Sequence, residues 1–317
     1  MKKTKQIVVA EKKMSLRQEL KKNYFFYLLA LPGLIFMIFF CYVPMAGIYL
    51  AFENYTYQGG LFGSEFVGLR NFRFLFTNLN NIFRAIRNTL VVNIFGIVLG
   101  TALNVAVAVV LAEIQNERYR KFGQTIILFP HFLSWIVIGG ISEVVLAQKG
   151  GLINNIIEFF GGEALLFNSE PKYWWAILIL FSLWKGFGYG SLVYYATITG
   201  FDPALYEAAE IDGAGRWQKI TKITIPLLKP TVVTLFLLSI GGIMGSSLEQ
   251  VMGMTKMNPL LLETTDNLAT YVYRMGIGNG EFGLSSALSL FQSVISCIVV
   301  LVANFLAKKA DPDYALF

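Results

Sequence analysis

Charged residues are scarce in this sequence: Asp, Glu, Lys and Arg make up 15% of its 317 residues, whereas hydrophobic residues make up 55%. A soluble domain carries about 25% charged residues, so this chain has too few to cover a water-facing surface. Histidine occurs once, as His131, and cysteine twice, as Cys41 and Cys297. The sequence therefore offers no Ser/His/Asp set, no disulfide framework and no metal-ligand spacing, and we expect both cysteines to be small core residues.

A phosphate-binding loop is also missing, because no GxxxxGK[ST] pattern occurs anywhere in the chain. We therefore predict no catalytic residue, no resident metal and no ATP hydrolysis in this chain. The net charge of +6 needs no nucleic-acid partner to explain it, since the excess lies in segments that flank apolar runs.

Long apolar runs are what the chain does contain. Most approach or exceed the ~20 residues that cross a ~30 Å hydrocarbon core, so we predict an all-α integral membrane protein with six spans. The first run is too long for one straight crossing and contains Pro32 and Pro44, so its last part should leave the bilayer or bend. The runs are residues 24–52, 89–112, 124–147, 174–199, 231–247 and 284–307.

Basic residues predict the orientation. With a cytoplasmic N-terminus, 17 of the 26 Lys and Arg residues fall in inner segments and 8 in outer ones, which fits the positive-inside rule. Residues 1–23 are then a basic cytoplasmic N-terminus, 24–307 the membrane domain and 308–317 a cytoplasmic tail. The apolar run after residue 23 is too long for a cleaved signal peptide, so we expect it to remain as the first span.

The outer segments are short. Phe72, Leu75, Phe76, Leu79, Phe83, Ile86 and Leu90 recur at helical spacing and predict short helices along the membrane surface. Glycine pairs at 150–151 and 161–162 predict a further short helix between them. No outer segment exceeds about 36 residues, too few for a separate receptor domain, so a dilute solute would be captured by another polypeptide.

The segment 202–226 is the least membrane-like stretch between two apolar runs. Asp202 and Pro203 form a typical helix start, and Asp212–Gly213 predicts the helix end. A basic amphipathic helix, "RWQKITKITI", should follow, with Pro226 and Pro230 bracketing the entry to the next span. This pattern suits docking to a soluble partner, although an amphipathic helix covering the bundle end explains it equally well on physical grounds.

A family resemblance favours docking. Glu207-Ala208-Ala209, Gly213 and Ile223-Thr224-Ile225-Pro226 resemble the EAA motif of ABC importer permeases, EAA-x3-G-x9-I-x-L-P, with Ile225 as the one departure. "LPGLIFMIFFCYVPMAGIYLAF", "FVGLRNF", "FPHFLSW" and "DPALYEAAEIDGAGRW" extend the resemblance over most of the chain, towards the carbohydrate-type permeases and their polysaccharide and oligosaccharide branch. We call residues 202–226 the EAA segment.

The resemblance implies a type I ABC importer permease in a prokaryotic plasma membrane, with both termini cytoplasmic. A second homologous permease would complete the translocation path, an external solute-binding protein would deliver the oligosaccharide, and a separate ATPase dimer would bind ATP and magnesium. Glu207 would be a candidate for a charged contact with the ATPase, and Gly213 would permit the turn. The residues implied in ATPase coupling are Glu207, Ala208, Ala209, Asp212, Gly213, Ile223 and Pro226.

Polar residues inside spans usually face a cavity or the bundle interior. Aromatic faces with hydrogen-bonding groups bind sugars, so "LWKGFGYGSLVYY" suggests sugar contact, while its glycines at 186, 188 and 190 suggest helix packing. Lys185 is alternatively a partner for Glu143, and His131 for a helix carbonyl freed by Pro130. The substrate-path candidates are Trp184, Lys185, Tyr189, Glu143, His131, Glu249 and Gln250, with Asn93, Asn104, Gln292 and Asn304 as further intramembrane polar residues.

Other functions remain open at this stage. A permease for another solute class would share the EAA motif. A secondary transporter that needs no ATP would favour repeated halves, which residues 1–160 and 161–317 do not show, and a membrane scaffold or sensor would leave the motif's spacing unexplained.

Overall fold

The computed structural model describes residues 16–77 and 79–310. The first fifteen residues of the predicted basic N-terminus and most of the predicted tail lie outside the described residues. The chain divides into two units, Met1–Tyr49 and Leu50–Phe317.

The first unit consists of helical segments, most of them hydrophobic. It contains α1 (Leu16–Lys22) and α2 (Tyr24–Met37). A π turn at Ile38–Tyr42 follows, and then a 3-10 helix at Val43–Phe52, whose last residues belong to the second unit. No residue of α2 is buried, so the helix presents apolar side chains all round, as a lipid-facing span does. The helix type changes near Pro44, and the predicted bend or exit from the bilayer at this point stays a prediction.

The second unit contains nearly all of the remaining elements. A two-stranded antiparallel sheet pairs β1 (Glu53–Asn54) with β2 (Glu65–Phe66). The first helices of this unit are α3 (Gly60–Gly63), α4 (Arg70–Thr77), α5 (Leu79–Glu113), α6 (Glu117–Phe132), α7 (Trp135–Val145), α8 (Leu152–Phe159) and α9 (Trp174–Thr199). They are followed by α10 (Pro203–Ile211), α11 (Arg216–Lys219), α12 (Ile225–Gly241), α13 (Leu248–Thr255), α14 (Leu262–Thr265), α15 (Leu268–Tyr273) and α16 (Phe282–Ala310).

Five helical stretches of the described chain are long and apolar enough to cross a membrane, and a bent pair supplies a sixth. The five are Tyr24–Phe52, Leu79–Glu113, Pro171–Thr199, Arg216–Gly241 and Phe282–Lys309. The sixth consists of α6 and α7, which meet at 97° across a short break. The predicted fold class of six spans is confirmed, but the third apolar run does not form one straight helix.

The break between α6 and α7 has a local cause. Pro130 lies inside α6 and removes a helical N–H donor near its end. Ser134 then begins α7 as its N-cap, because its hydroxyl accepts a hydrogen bond from the Val137 N–H at 3.3 Å. The chain therefore ends one helix and begins another within three residues.

Two predicted boundaries are wrong. The surface helices expected as far as Leu90 reduce to α4, because from Leu79 the chain enters α5 and meets no Gly or Pro before Gly96. The fifth span was expected at residues 231–247, but it occupies Arg216–Gly241. The helix predicted between the two glycine pairs is confirmed as α8, where Gly150 and Gly161 take φ values of +74° and +82°.

Glycines set the closest helix crossings. A Cβ on Gly188 of α9 would lie 1.8 Å from the Ile127 carbonyl oxygen of α6, and one on Gly139 of α7 would lie 1.9 Å from that of Gly253 in α13. These contacts confirm packing for Gly188, whereas Gly186 has no neighbouring atom where its Cβ would be. Both cysteines are exposed, so the expectation that they are core residues is wrong.

Candidate functional site: the EAA segment and an intramembrane cavity

The EAA segment begins as predicted. Asp202 is the N-cap of α10, since its carboxylate accepts a hydrogen bond from the Ala204 N–H at 3.0 Å. Pro203 takes the first helical position, where its missing N–H leaves no hydrogen bond unmade. The start of α10 is therefore defined by two adjacent residues.

The end of α10 depends on a glycine in the left-handed region. Gly213 has φ of +77°, and the following Ala214 N–H donates to the Ala209 carbonyl at 2.8 Å. This geometry is that of a helix end closed by a left-handed residue. A Cβ on Gly213 would meet no atom within 4 Å, so the requirement for glycine here is conformational rather than steric.

The second half of the EAA segment differs from the prediction. Residues 216–219 form α11, which continues through a π turn at Ile220–Thr224 into α12 without a break. Pro226 occupies the first turn of α12 and Pro230 lies inside the helix. The basic stretch is therefore continuous with the helix of the fifth span, and Pro226 lies next to the π turn at which the winding changes.

Side chains of the EAA segment leave an exposed apolar surface. Ile211 is 87% exposed and Trp217 is 75% exposed. Glu207 and Ala208 are exposed as well, and the Glu207 side chain makes no hydrogen bond or ion pair with any other described residue. Of the remaining implied coupling residues, Asp212 and Pro226 are exposed, whereas Ala209 and Ile223 are half-buried.

Three polar contacts hold the EAA segment in place. Arg216 forms an ion pair with Glu113 at the end of α5, with Nε 2.8 Å from Oε2, and also donates to the Glu113 carbonyl at 2.9 Å. Lys219 pairs with Glu210, and the hydroxyls of Tyr206 and Thr224 lie 3.0 Å apart. Sequence analysis missed these contacts because each joins residues that are 9 to 103 positions apart.

A cavity of about 550 Å³ lies between the membrane helices of the second unit. Its walls combine amide and hydroxyl side chains with Trp135, Phe187 and several glycines. Gly186 lines this space, and no atom lies within 4 Å of the position that a Cβ on it would take. The polar lining residues are Asn93, Thr101, Asn104, Ser182, Ser239, Ser246, Ser247 and Gln250.

Only Gln250 of the seven substrate-path candidates lines this cavity. It is buried, and its side-chain amide donates to the Leu178 carbonyl at 2.8 Å. Asn104 contributes a buried side-chain oxygen that has no hydrogen-bond partner among the described residues. Trp184, Tyr189 and Glu249 are exposed outside the lining.

Lys185 does not pair with Glu143, and that expectation is wrong. The Lys185 ammonium donates to the His131 carbonyl at 2.7 Å and to the Leu133 carbonyl, and it lies 5.6 Å from the centre of the Trp135 ring. The break between α6 and α7 leaves carbonyl groups without helical partners. The Lys185 ammonium satisfies two of these carbonyls instead of pairing with the Glu143 carboxylate. Glu143 instead pairs with Lys256.

The His131 ring does not hydrogen-bond a freed helix carbonyl among the described residues, and its contact with substrate stays a prediction. Its imidazole stacks on the Tyr189 ring, with centroids 4.4 Å apart and planes 8° from parallel. The hydrogen bond at the helix break is therefore made to the backbone carbonyl of His131 rather than by its ring.

A second polar cluster, which sequence analysis missed, lies near the other end of α5. The Asp266 side chain is fully buried and accepts hydrogen bonds from Arg84 at 3.2 Å and from Arg274 at 2.7 Å. Burial raises the pKa of the nearby Tyr271 phenol, an effect that Arg274 opposes, so this ring stays neutral in the physiological range. The cluster joins α5 to α15 across nearly 200 residues of sequence.

Comparison with known proteins identifies the family. Residues 104–314 match the family described as "Binding-protein-dependent transport system inner membrane component". The polygalacturonan/rhamnogalacturonan transport system permease protein YteP of Bacillus subtilis (strain 168) is 38% identical over 299 residues, which cover 94% of this chain and 92% of YteP. Protein LplB of the same organism is 35% identical over 307 residues, covering 97% and 96%.

The fold is similar to that of a solved transporter. A chain of the bacterial alginate ABC transporter, in complex with an alginate pentasaccharide-bound periplasmic protein, superposes with a TM-score of 0.82 and 32% sequence identity. The match covers 93% of this chain and 98% of that chain. Relatives that match along nearly their whole length therefore agree with the six-span architecture described above.

Proposed function

The chain belongs to the family of binding-protein-dependent transport system inner-membrane components, and from that premise we propose that it imports oligosaccharides or polysaccharide fragments with energy from ATP hydrolysed on separate subunits. Relatives named for polygalacturonan, rhamnogalacturonan and alginate transport support a saccharide cargo. The cavity supports it as well, because amides, hydroxyls and aromatic rings are the groups that sugars engage.

The single observation that carries the ATP-coupled function is the geometry of the EAA segment. α10 is a short helix with a defined start and end, and the EAA segment exposes Glu207 together with two large apolar side chains, Ile211 and Trp217. Such a surface is suited to burial against a protein partner. We assign that partner as an ATPase dimer, which binds ATP and magnesium, and Glu207 as the residue that meets a basic ATPase side chain.

The segment is connected to the spans in a way that fits force transmission. Arg216 holds it to the end of α5, and α11 continues directly into α12. A displacement of the docked segment would therefore move two spans whose residues line the cavity. A second homologous permease would form the other wall of the path, and an external solute-binding protein would deliver the saccharide. In this assignment both termini are cytoplasmic.

Reconstitution of the complete transporter tests this function. The chain, its co-purifying permease and ATPase, and its solute-binding protein are placed in proteoliposomes, and ATP-dependent saccharide uptake is measured. Glu207→Lys should reduce uptake and the amount of ATPase that co-purifies, because it reverses the charge at the docking surface. Glu158→Lys in α8 is the matched control, since Glu158 is also an exposed helical glutamate but lies outside the EAA segment.

Three results would each contradict part of the assignment. Full ATP-dependent uptake by Glu207→Lys would remove the coupling role of this glutamate. Uptake that follows an imposed ion gradient and ignores ATP would replace the importer with a secondary transporter. Uptake of a non-saccharide solute in place of every oligosaccharide tested would retain the ATP coupling but change the solute class.

A further inference from the structure

A second large cavity lies at the opposite end of the membrane helices from the EAA segment. It measures about 490 Å³ and is lined by residues of the segment 53–77 and by the start of α16. α5 separates the two regions, because it begins at Leu79 beside this segment and ends at Glu113 beside Arg216, about 52 Å away for 35 helical residues. We call it the Glu53 cavity, after the residue that lies deepest in its wall.

Glu53 is a buried carboxylate with one oxygen that lacks a partner in the part of the chain that the structure describes. It is 1% exposed, and its Oε2 atom has no hydrogen-bond donor among the described residues. Burying an unpaired carboxylate is costly, so proteins normally supply a cation or several donors at such a position. The unmet hydrogen-bonding capacity of Glu53 makes it a candidate acceptor for donors that a ligand brings into this cavity.

The backbone around Glu53 is held firmly. Asn71 donates from its side-chain amide to the Glu53 carbonyl at 2.8 Å and to the Ala51 carbonyl at 3.0 Å. Gly283 at the start of α16 packs so closely that a Cβ there would lie 2.7 Å from the Glu53 carbonyl oxygen. Strand, helix and amide side chain therefore fix the backbone of Glu53, and the position of its carboxylate depends on the rotation of the side chain.

Two arginines line the same cavity. Arg70 and Arg73 lie three residues apart in α4, so they share one face of that helix, and both are exposed. Neither forms an ion pair with a described residue, including Glu281, which also lines the cavity. Arg70 begins α4 where the helix dipole disfavours a cation, so a bound anion would offset an electrostatic cost already present.

Aromatic rings complete the wall. Tyr55 and Phe282 meet edge to face with centroids 5.4 Å apart, and Phe74 also lines the space. Such rings offer a flat apolar surface against which the non-polar face of a sugar packs. The cavity thus places a hydroxyl acceptor, two carboxylate-binding guanidinium groups and aromatic rings around one volume.

From this combination we infer that the Glu53 cavity binds a uronosyl residue, that is, a sugar unit carrying a carboxylate. Sugar hydroxyls would donate to Glu53, while Arg70 and Arg73 would bind the uronate carboxylate with charge-assisted hydrogen bonds. A free metal cation would satisfy Glu53 but would be repelled by the two arginines. The inference rests on the proposed saccharide import, since it names an acidic cargo and gives it a contact outside the intramembrane cavity.

Binding of trigalacturonate to the complete permease–ATPase complex in nanodiscs tests the inference, with the solute-binding protein left out. Wild-type complex should bind trigalacturonate at least about 10-fold more tightly than its fully methyl-esterified, uncharged form, which lacks the carboxylates. The double variant Arg70→Gln/Arg73→Gln should lose most of this preference. The matched control is Arg118→Gln/Arg120→Gln at the start of α6, where an exposed and a half-buried arginine lie outside the cavity.

Glu53→Gln is a second variant, and it should weaken the binding of both saccharides because it replaces an acceptor-only group. Should Glu53→Gln fail to fold, the exposed arginines still decide the question. Equal binding of the two saccharides by wild type, or an unchanged preference in the arginine variant, would overturn the inference. The inference would also be overturned if Arg70→Gln/Arg73→Gln stopped binding the solute-binding protein but kept the saccharide preference, because the cavity would then be a contact surface for that protein.

This binding measurement is independent of transport. ATP-dependent saccharide uptake by the wild type, together with equal binding of trigalacturonate and its methyl-esterified form, would remove the uronate site while leaving the proposed importer function standing. If the wild type shows the expected saccharide preference but no ATP-dependent uptake, the uronate site would stand and the proposed importer function would fail.

Discussion

Gly213 offers the sharpest test of the EAA segment, because its contribution can be separated from steric packing. Its φ of +77° lies in the left-handed region, where a non-glycine residue costs about 1–2 kcal/mol. Since no atom lies within 4 Å of the position a Cβ would take, Gly213→Ala should cost only this conformational energy. That energy corresponds to about a 5- to 30-fold lower population of the closed helix end relative to alternatives.

Gly215 provides the matched control two residues away. Its φ of −68° is accessible to any residue, and a Cβ there would meet only the Gln218 side chain at 3.8 Å. Gly215→Ala should therefore change little. Gly213→Asn should retain more function than Gly213→Ala, because asparagine tolerates the left-handed region better than alanine does.

The assay is saccharide-stimulated ATPase activity of the reconstituted transporter, with the amount of co-purified ATPase measured in parallel. Gly213→Ala should lower stimulation while leaving the unstimulated membrane protein folded, as size-exclusion chromatography would report. Equal stimulation in Gly213→Ala and wild type would refute the argument that the left-handed helix end supports coupling. A loss of equal size in Gly215→Ala would refute it too, because the effect would then not depend on φ.

Three further substitutions probe the packing of the spans and the contacts of the EAA segment. Gly188→Ala should destabilise the folded protein by about 1–3 kcal/mol, measured as SDS-induced unfolding in mixed micelles, because its Cβ would overlap the Ile127 backbone, whereas Gly186→Ala should not. Lys185→Met should destabilise by a similar amount, since two helix-end carbonyls lose a charged donor, and a loss under 0.5 kcal/mol would contradict the capping role. Arg216→Gln should cost less than about 1 kcal/mol of stability, as exposed ion pairs do, while reducing ATPase-coupled uptake.

Local signals along the chain predicted most of the fold. Asp202, Pro203 and Gly213 define α10 because helix caps are decided by the residues at the ends themselves. The glycine pairs around α8 predicted the two ends of that helix for the same reason. Apolar length gave the number of spans, because the thickness of the bilayer sets that length independently of tertiary contacts.

Boundaries that depend on tertiary packing were not predictable in this way. The basic residues of α11 predicted a separate surface helix. In the structure, Lys219 forms an ion pair with Glu210 and Arg216 forms one with Glu113, and a single helix runs from the EAA segment into the span. Lys185 illustrates the same limit. Its span and its polarity were evident, but its partner was created by the bend between α6 and α7, which no periodicity reports.

Cavity residues were the least predictable group, and the reason is geometrical. Large polar and aromatic side chains draw attention in a sequence, but Trp184 and Tyr189 lie outside the lining, whereas Gly186, Ser182 and Ser246 lie within it. A cavity forms where side chains are small, so the residues that create the space are the ones with the weakest chemical signal. Gln250 was found because an amide at membrane depth is costly unless it is paired, as it is here with the Leu178 carbonyl.

The bend between α6 and α7 connects the packing of the spans to the cavity. Lys185 of α9 holds the two carbonyls at the break, and it does so beside Trp135, which lines the cavity. One turn further along α9, Gly188 touches the α6 backbone, so the two helices cannot slide past each other without breaking a tight contact. Under the proposed function, movement that begins at the EAA segment would reach the cavity through α5 and α12, which both contribute lining residues. A variant that loosens the α6–α9 pair, such as Gly188→Ala, should accordingly impair saccharide-stimulated ATPase activity even where the ATPase still docks.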